Sequence, residues 1–343
     1  MSTNSFWTKI SYTYFICAIL VVTMHSINNV SPNLHINESE NILWAQIIHH
    51  YTGYAVNLFF MISGLLFYRN LSFKTLVSKV QSRFKSLVIP YLCWNIIGVI
   101  FFTTIMFIPP LKELVNNENF FIHNFNDLLL GIFHYKCNVV FWFIYELIIL
   151  VLLSPLILLF IKRKWSGLLF IILFYFLERQ YSDYLIGIRG SGAWIYYFIG
   201  TYIGKHYFEK FSKIIFHKKI SIIFIIIGIG TASILRNENI QISFFLKSIL
   251  SILGTFSIWF SIDTILKFYH PWMNGLPMFI YAFHFNVCMA IGKLICLILP
   301  NYIGMETLGI LLCIIITLTI SIMTAKYLKQ MVPTIYSILN GGR

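Results

Sequence analysis

The chain has 343 residues, of which 58% are hydrophobic and only 11% charged, with a mean hydropathy of +0.79. A soluble domain runs at about 45–50% apolar and about 25% charged, so a soluble enzyme domain, a disordered tail and a disulfide scaffold are all excluded. The net charge of +13 would suit a nucleic-acid partner in a soluble protein. Here the basic residues sit in short clusters between apolar runs and no nucleic-acid motif accompanies them, so topogenic loops account for them better.

Apolar runs fall near 10–27, 46–68, 86–109, 140–161, 166–178, 193–208, 220–235, 242–262, 274–299 and 306–325. A helical span needs about 20 residues, and the fifth, sixth and seventh runs are short or interrupted. The expected architecture is an all-α membrane bundle of about ten helices, a single domain over 1–343 with no appended soluble domain. The first run follows Lys9 and resembles a signal peptide, but no small-x-small cleavage pattern follows it, so it reads as a retained span. It carries Tyr14 and, late, His25. Histidine titrates near neutrality and is the commonest general base; a histidine at the outer interface satisfied by water is the more ordinary role for one by itself. The second run, Asn57-Leu-Phe-Phe-Met-Ile-Ser-Gly-Leu-Leu, places Ser63 beside Gly64, which permits a close helix approach or a local break. Arg69, Lys74, Lys79, Arg83 and Lys85 form a basic loop before Leu87-Val88-Ile89-Pro90-Tyr91. Such a patch can hold the phosphates of a nucleotide-like donor or anionic lipid; the second suits Lys74 and Lys79, and Arg83 stands closer to the next span.

The stretch from Pro110 to Val139 is too polar to span and has room for a surface helix or a re-entrant piece. Phe141-Trp142-Phe143-Ile144-Tyr145-Glu146 opens the fourth run, where Glu146 can orient a histidine, pair with a cation, bind a proton or face interfacial water. Tyr281-Ala282-Phe283-His284-Phe285-Asn286 places a second histidine in the ninth run, a position more often filled by an interhelical hydrogen bonder than by a catalytic group. The six cysteines show no CxxC spacing and read as small apolar fillers, with no metal site and no disulfide framework. Neither a Walker A, GxGxxG, HExxH nor GxSxG motif is present. With the N-terminus inside, 18 Lys and Arg fall in inner segments against five in outer ones, whose acids include Glu38, Glu40, Glu113 and Glu118; both termini are then cytoplasmic.

In order, these segments resemble acyltransferase family 3, bacterial multi-span proteins that move acyl groups, usually acetyl, onto cell-envelope glycans. The resemblance rests on "YFICAILVVTMHS" ending in His25, on "NLFFMISGLLFY", on the Arg83 segment leading into "LVIPYLCW" and on "FWFIYELIILVLLSPL". The weaker "YYFIGTYIGK" and "FIYAFHFNV" follow. It covers nearly the whole chain. It implies His25 as the base that deprotonates the acceptor hydroxyl, with Glu146 as a candidate to orient it. Arg83 would contact the donor phosphates, and Asn57, Ser63, Trp142 and His284 would be substrate-side residues. The donor would be acyl-CoA, with no bound cofactor, and the acceptor a glycan or lipid-linked saccharide in the bacterial inner membrane, among membrane lipids and without nucleic acid. One departure stands out. The family often has Arg or Lys eleven residues before the histidine, about 16.5 Å along a helix and on nearly the same face; here that position is Tyr14, which donates a hydrogen bond but carries no charge. A transporter or flippase for an envelope saccharide would share the span count and the intramembrane polar groups. A membrane sensor or scaffold would need an output domain that this chain lacks.

Overall fold

A computed structural model of the protein describes residues 3–34, 43–109, 112, 115, 118–181, 191–237, 240–300, 302 and 304–342. Glu38, Glu40, Glu113, Arg189 and Arg343 lie outside the described residues. The architecture is all-helical, 86% helix, with no strand among the described residues. In chain order the helices are α1 (Thr3–Val30), α2 (Leu43–Tyr68), α3 (Phe73–Met106), α4 (Phe125–Phe133), α5 (Trp142–Leu152), α6 (Ser154–Ile161) and α7 (Lys164–Tyr181). There follow α8 (Ser191–His206), α9 (Phe208–Phe211), α10 (Lys218–Arg236), α11 (Phe244–Ile265), α12 (Leu276–Ile298), α13 (Met305–Met331) and α14 (Pro333–Leu339).

Every one of the ten apolar runs forms a helix or, in the fourth, a bent pair. Not all are long enough to span, however. Among the described residues, seven helices (α1, α2, α3, α10, α11, α12 and α13) have the length and composition to cross a membrane, and α5 with α6 makes an eighth if the bent pair is one span. By length and composition these helices number seven or eight, against the ten expected. The runs near 166–178 and 193–208 account for the difference, because the apolar part of α7 is only 14 residues long (Lys164–Leu177) and α8 is 16 residues long. The break between α5 and α6 bends the chain by 63°. Pro155 in the first turn of α6 causes it, since proline cannot donate to the carbonyl four residues back and crowds it.

The basic segment expected as a loop is helical: α3 runs for 34 residues from a capping box of Ser72 and Thr75. Leu76, Val80 and Leu87 recur at helical spacing and turn inward against the core; Lys74 and Lys85 are exposed, while Lys79 and Arg83 are half-buried. Further along, Pro90 frees the carbonyl of Ser86, and the C-terminal turn packs against it at Gly341, whose φ of +68° suits glycine. The polar stretch after α3 holds a nine-residue surface helix, α4, capped by Asn124 and tied down by Lys136–Asp127 at 2.5 Å. Lys136 and the backbone N–H of His123 together hold the Asp127 carboxyl below the usual carboxylate range.

Helix α2 lies at the centre, between α1, α8, α10 and α11. Its closest approach is to α8, where Gly200 and Gly204 form a GxxxG pair. A Cβ on Gly200 would collide with the Met61 carbonyl, and one on Gly204 with that of Leu65. Gly64 is equally tight against Tyr197. The Ser63-Gly64 pair thus serves close helix packing.

Most of the basic clusters gather at one end of the bundle. There Lys9 of α1 forms an ion pair with Asp263 of α11 at 2.9 Å, with both side chains almost fully enclosed. Arg69 lies over the rings of Phe208 (4.4 Å) and Trp7 (5.1 Å), and Lys326 over Trp272 (4.7 Å). Lys79 donates to the carbonyls of Phe67 and Arg69, and Lys205 to that of Leu71, so these two lysines cap the C-terminal end of α2.

Candidate functional site

A cavity of about 460 Å³ opens between α1, α2, α3, α5, α8 and the start of α12. Three of the expected site residues line it together: Tyr14, Ser63 and Arg83. Helix α1 turns Ile10, Ser11 and Tyr14 to the cavity on one face, at the i, i+1, i+4 positions that share a stripe. Tyr14 stacks on Phe59 of α2, centroids 5.5 Å apart, and Ser63 follows one turn along the same helix. Arg83 is half-buried on α3 at the basic end. The ion pairs among the described residues are Lys9–Asp263 and Lys136–Asp127, so its guanidinium has no acidic partner there. A fixed, partly shielded cation with five donors and no carboxylate beside it is suited to an anionic ligand group such as phosphate.

The remaining lining residues were not singled out from the sequence. Ser11 stands three residues before Tyr14 on the same helical face, a spacing that could have shown it. Tyr197 of α8 brings a buried hydroxyl with no hydrogen-bond partner among the described residues. Asn274 and Gly275 form the rim, and the Gly275 carbonyl is held by Tyr336 (3.2 Å) and Asn340 (2.6 Å) of the C-terminal segment. The left-handed φ of +79° at Gly275 turns the chain into α12. Leu66, Leu87, Leu147, Val151 and Met278 make most of the wall apolar. A slender ligand with an anionic end fits this lining: charge at Arg83, hydroxyls part-way, hydrocarbon elsewhere.

Tyr281 stands at the far end, its hydroxyl donating to the Val140 carbonyl. One turn beyond it on α12 is His284, with ring centroids 6.2 Å apart. His284 in turn meets His25 of α1, centroids 5.2 Å apart, and Phe285 closes the other side of His25 at 5.4 Å. The two intramembrane histidines therefore meet just past the cavity and do not line it. Seen along α1, Tyr14 lies in the cavity and His25 about 16.5 Å further on.

Glu146 does not orient His25. It is fully buried, and Oε2 accepts a hydrogen bond from the indole of Trp194 at 2.7 Å while Oε1 has no partner among the described residues. Helix α5 turns this side chain toward α8, the helix that carries Trp194. Asn57 also falls outside the cavity lining; its amide donates to Ser251, which takes a second hydrogen bond from Tyr196 at 2.7 Å. Trp142 packs against Phe60 at 6.0 Å, likewise outside the lining. These two residues join helices.

A family model described as an acyltransferase domain, that of acyltransferase family 3, matches residues 10–326. No protein of curated function and no solved structure matches the chain. The matched range contains all the cavity-lining residues, both histidines and Glu146; α14, which holds the rim at Gly275, lies past its end.

Proposed function

Because the chain belongs to acyltransferase family 3, we propose that it transfers an acyl group, acetyl from acetyl-CoA, to a hydroxyl of a cell-envelope glycan. In this reading it crosses the bacterial inner membrane about ten times, with α7 and α8 as short crossings, and the basic end with both termini faces the cytoplasm. One observation carries the reading: one cavity holds an arginine with no acidic partner among the described residues and reaches a tyrosine one turn from His284, whose ring meets that of His25.

The donor enters from the basic end with its phosphates on Arg83 and its acyl-pantetheine arm along the apolar wall. Tyr14, Ser63 and Tyr197 offer hydroxyls to the amides of that arm, so Tyr14 replaces the family's basic residue with a neutral donor. The thioester then lies beyond Tyr281, beside His25. His25 takes the proton of the acceptor hydroxyl as its oxygen attacks the thioester carbon. A tetrahedral intermediate forms, the carbon–sulfur bond breaks, and the proton passes from His25 to the departing thiolate, giving the O-acyl glycan and free CoA.

Proton NMR of purified envelope polysaccharide provides the test. A deletion strain carrying wild-type protein is compared with the same strain carrying His25→Ala and with the empty deletion, at matched protein levels. Base-labile O-acyl signals are expected with the wild type and absent from the other two, at equal polysaccharide yield. Unchanged esters with a reduced yield would refute acyl transfer in favour of export of the saccharide.

A further inference from the structure

We infer that His284 is the positioning residue of His25: its bare Nε2 accepts the ring N–H of His25 and so fixes which His25 nitrogen is left to take the acceptor's proton. This rests on the acyl-transfer reading above. Nδ1 of His284 lies 2.7 Å from the carbonyl oxygen of Tyr281 and 3.1 Å from that of Ile280. A carbonyl only accepts, so Nδ1 carries the hydrogen and, in the neutral ring, Nε2 carries a lone pair. With Nδ1 turned back onto its own helix, Nε2 faces outward from α12. It is completely enclosed and has no hydrogen-bond partner among the described residues. The ring that His284 meets outside its own helix is His25, at 5.2 Å between centroids with the planes inclined by 47°. The two rings form no hydrogen bond as they stand; with His284 held on its own helix by Nδ1, it is a turn of the His25 ring that aims an N–H along the line of centroids, where 5.2 Å leaves facing nitrogens about 3 Å apart.

The surroundings leave few other donors for that lone pair. Glu146 is engaged with Trp194, and Tyr281 gives its hydroxyl hydrogen to Val140. Ser26 and Asn29, the polar neighbours of His25 on α1, reach Cys288 at 3.5 and 3.8 Å. A buried acceptor without a donor is costly, and the His25 ring makes no hydrogen bond of its own among the described residues. Each ring therefore supplies what the other lacks.

The chemistry follows from this pairing. Once one His25 nitrogen donates to His284, the other is bare and faces the acceptor. When it takes the hydroxyl proton, His25 becomes an imidazolium whose second N–H already points at a neutral acceptor. That bond becomes charge-assisted and spreads the positive charge over two rings, in a region where an unshared charge is expensive. When the proton passes to the thiolate, His25 is neutral again and the original arrangement is restored.

The test uses the full-length protein in nanodiscs with acetyl-CoA and polysaccharide from the deletion strain. His284→Leu is expected to lower kcat by about 100-fold with KM for acetyl-CoA unchanged. His284→Gln places an amide oxygen where Nε2 stood and is expected to retain kcat to within about 10-fold. Glu146→Gln keeps the acceptor for Trp194 and is expected to stay near wild type. In protein labelled with ¹⁵N-histidine, the His25 ring signals, assigned by their loss in His25→Ala, are expected to move in His284→Leu and not in Glu146→Gln. Wild-type kcat in His284→Leu, equal losses in the Leu and Gln variants, or unmoved His25 signals would each overturn the pairing. If wild-type protein transfers no acyl group, the functional reading fails, and the nitrogen signals still decide whether the two rings are paired.

Discussion

Arg83 and Lys79 lie one helical turn apart on α3, yet their surroundings assign them different work. Lys79 spends its donors on the Phe67 and Arg69 carbonyls at the end of α2, whereas Arg83 faces the cavity with no acidic partner among the described residues. Arg83→Ala is therefore expected to raise KM for acyl-CoA about 10-fold or more, the loss of one or two charge-assisted hydrogen bonds at about 1.5–3 kcal/mol each, with kcat little changed. Lys79→Ala is expected to leave KM alone and to lower the unfolding midpoint in detergent. Initial-rate kinetics and a thermal melt on the same two preparations check both. At this scale the sequence was informative about identity and weak about partners. The spacing from Tyr14 to His25 along one helix face and the proximity of Arg83 to a span are local facts, and the cavity contains two of those residues and stops just short of the third. That His25 meets His284 and not Glu146 depends on which helices adjoin, and nothing in one sequence encodes this: α5 turns its acid to α8, while α1 packs on α12.

Helix α8 is short, but it packs very tightly on α2. Gly200 and Gly204 bring its backbone onto that of α2, and so place Tyr197 on the wall of the cavity that Tyr14 also lines. Gly200→Leu must push the two backbones apart; overpacking of this kind costs about 1–3 kcal/mol, and the α2 face that carries Phe59 and Ser63 moves with it. The expected result is a lower unfolding midpoint together with weaker acyl-CoA binding, read by thermal melting and by titration. Gly53→Ala on the same α2 is the control: a Cβ there meets nothing within 4 Å, so stability should hold or rise slightly. Element boundaries show where local reading succeeds and where it fails. The Ser63-Gly64 pair announces close packing because small residues have few other uses in a span. The start of α3 was hidden because charge density suggested a loop, although Leu76, Val80 and Leu87 already carried the helical repeat.

Across the whole molecule, the basic clusters converge at one end through contacts between distant segments: Lys9 with Asp263, Arg69 with Trp7 and Phe208, Lys205 with Leu71. The charge count along the sequence had placed these residues on one side, and the packing is consistent with that. The number of crossings was less legible, because a hydropathy run reports apolar length and not how a helix lies. Reporter fusions measure it directly. Green fluorescent protein joined after Gly342 is expected to fluoresce, and alkaline phosphatase inserted at Asn119 to be active; the reverse pattern would invert the bundle and place Arg83 away from cytoplasmic acyl-CoA.

The Lys9–Asp263 pair has a consequence for how the protein is made. Its partners are 254 residues apart, and ribosomes add about 5–20 residues per second, so α1 exists for roughly 13–50 s before α11 is synthesised. Over that interval the ammonium of Lys9 has no carboxylate to meet and must be accommodated by headgroups or by the insertion machinery. Locking the first helix into its final seat is thereby postponed until three-quarters of the chain has been translated. The charge pair works as a clock as well as a clasp, holding the cavity wall open to adjustment while the helices that complete it arrive.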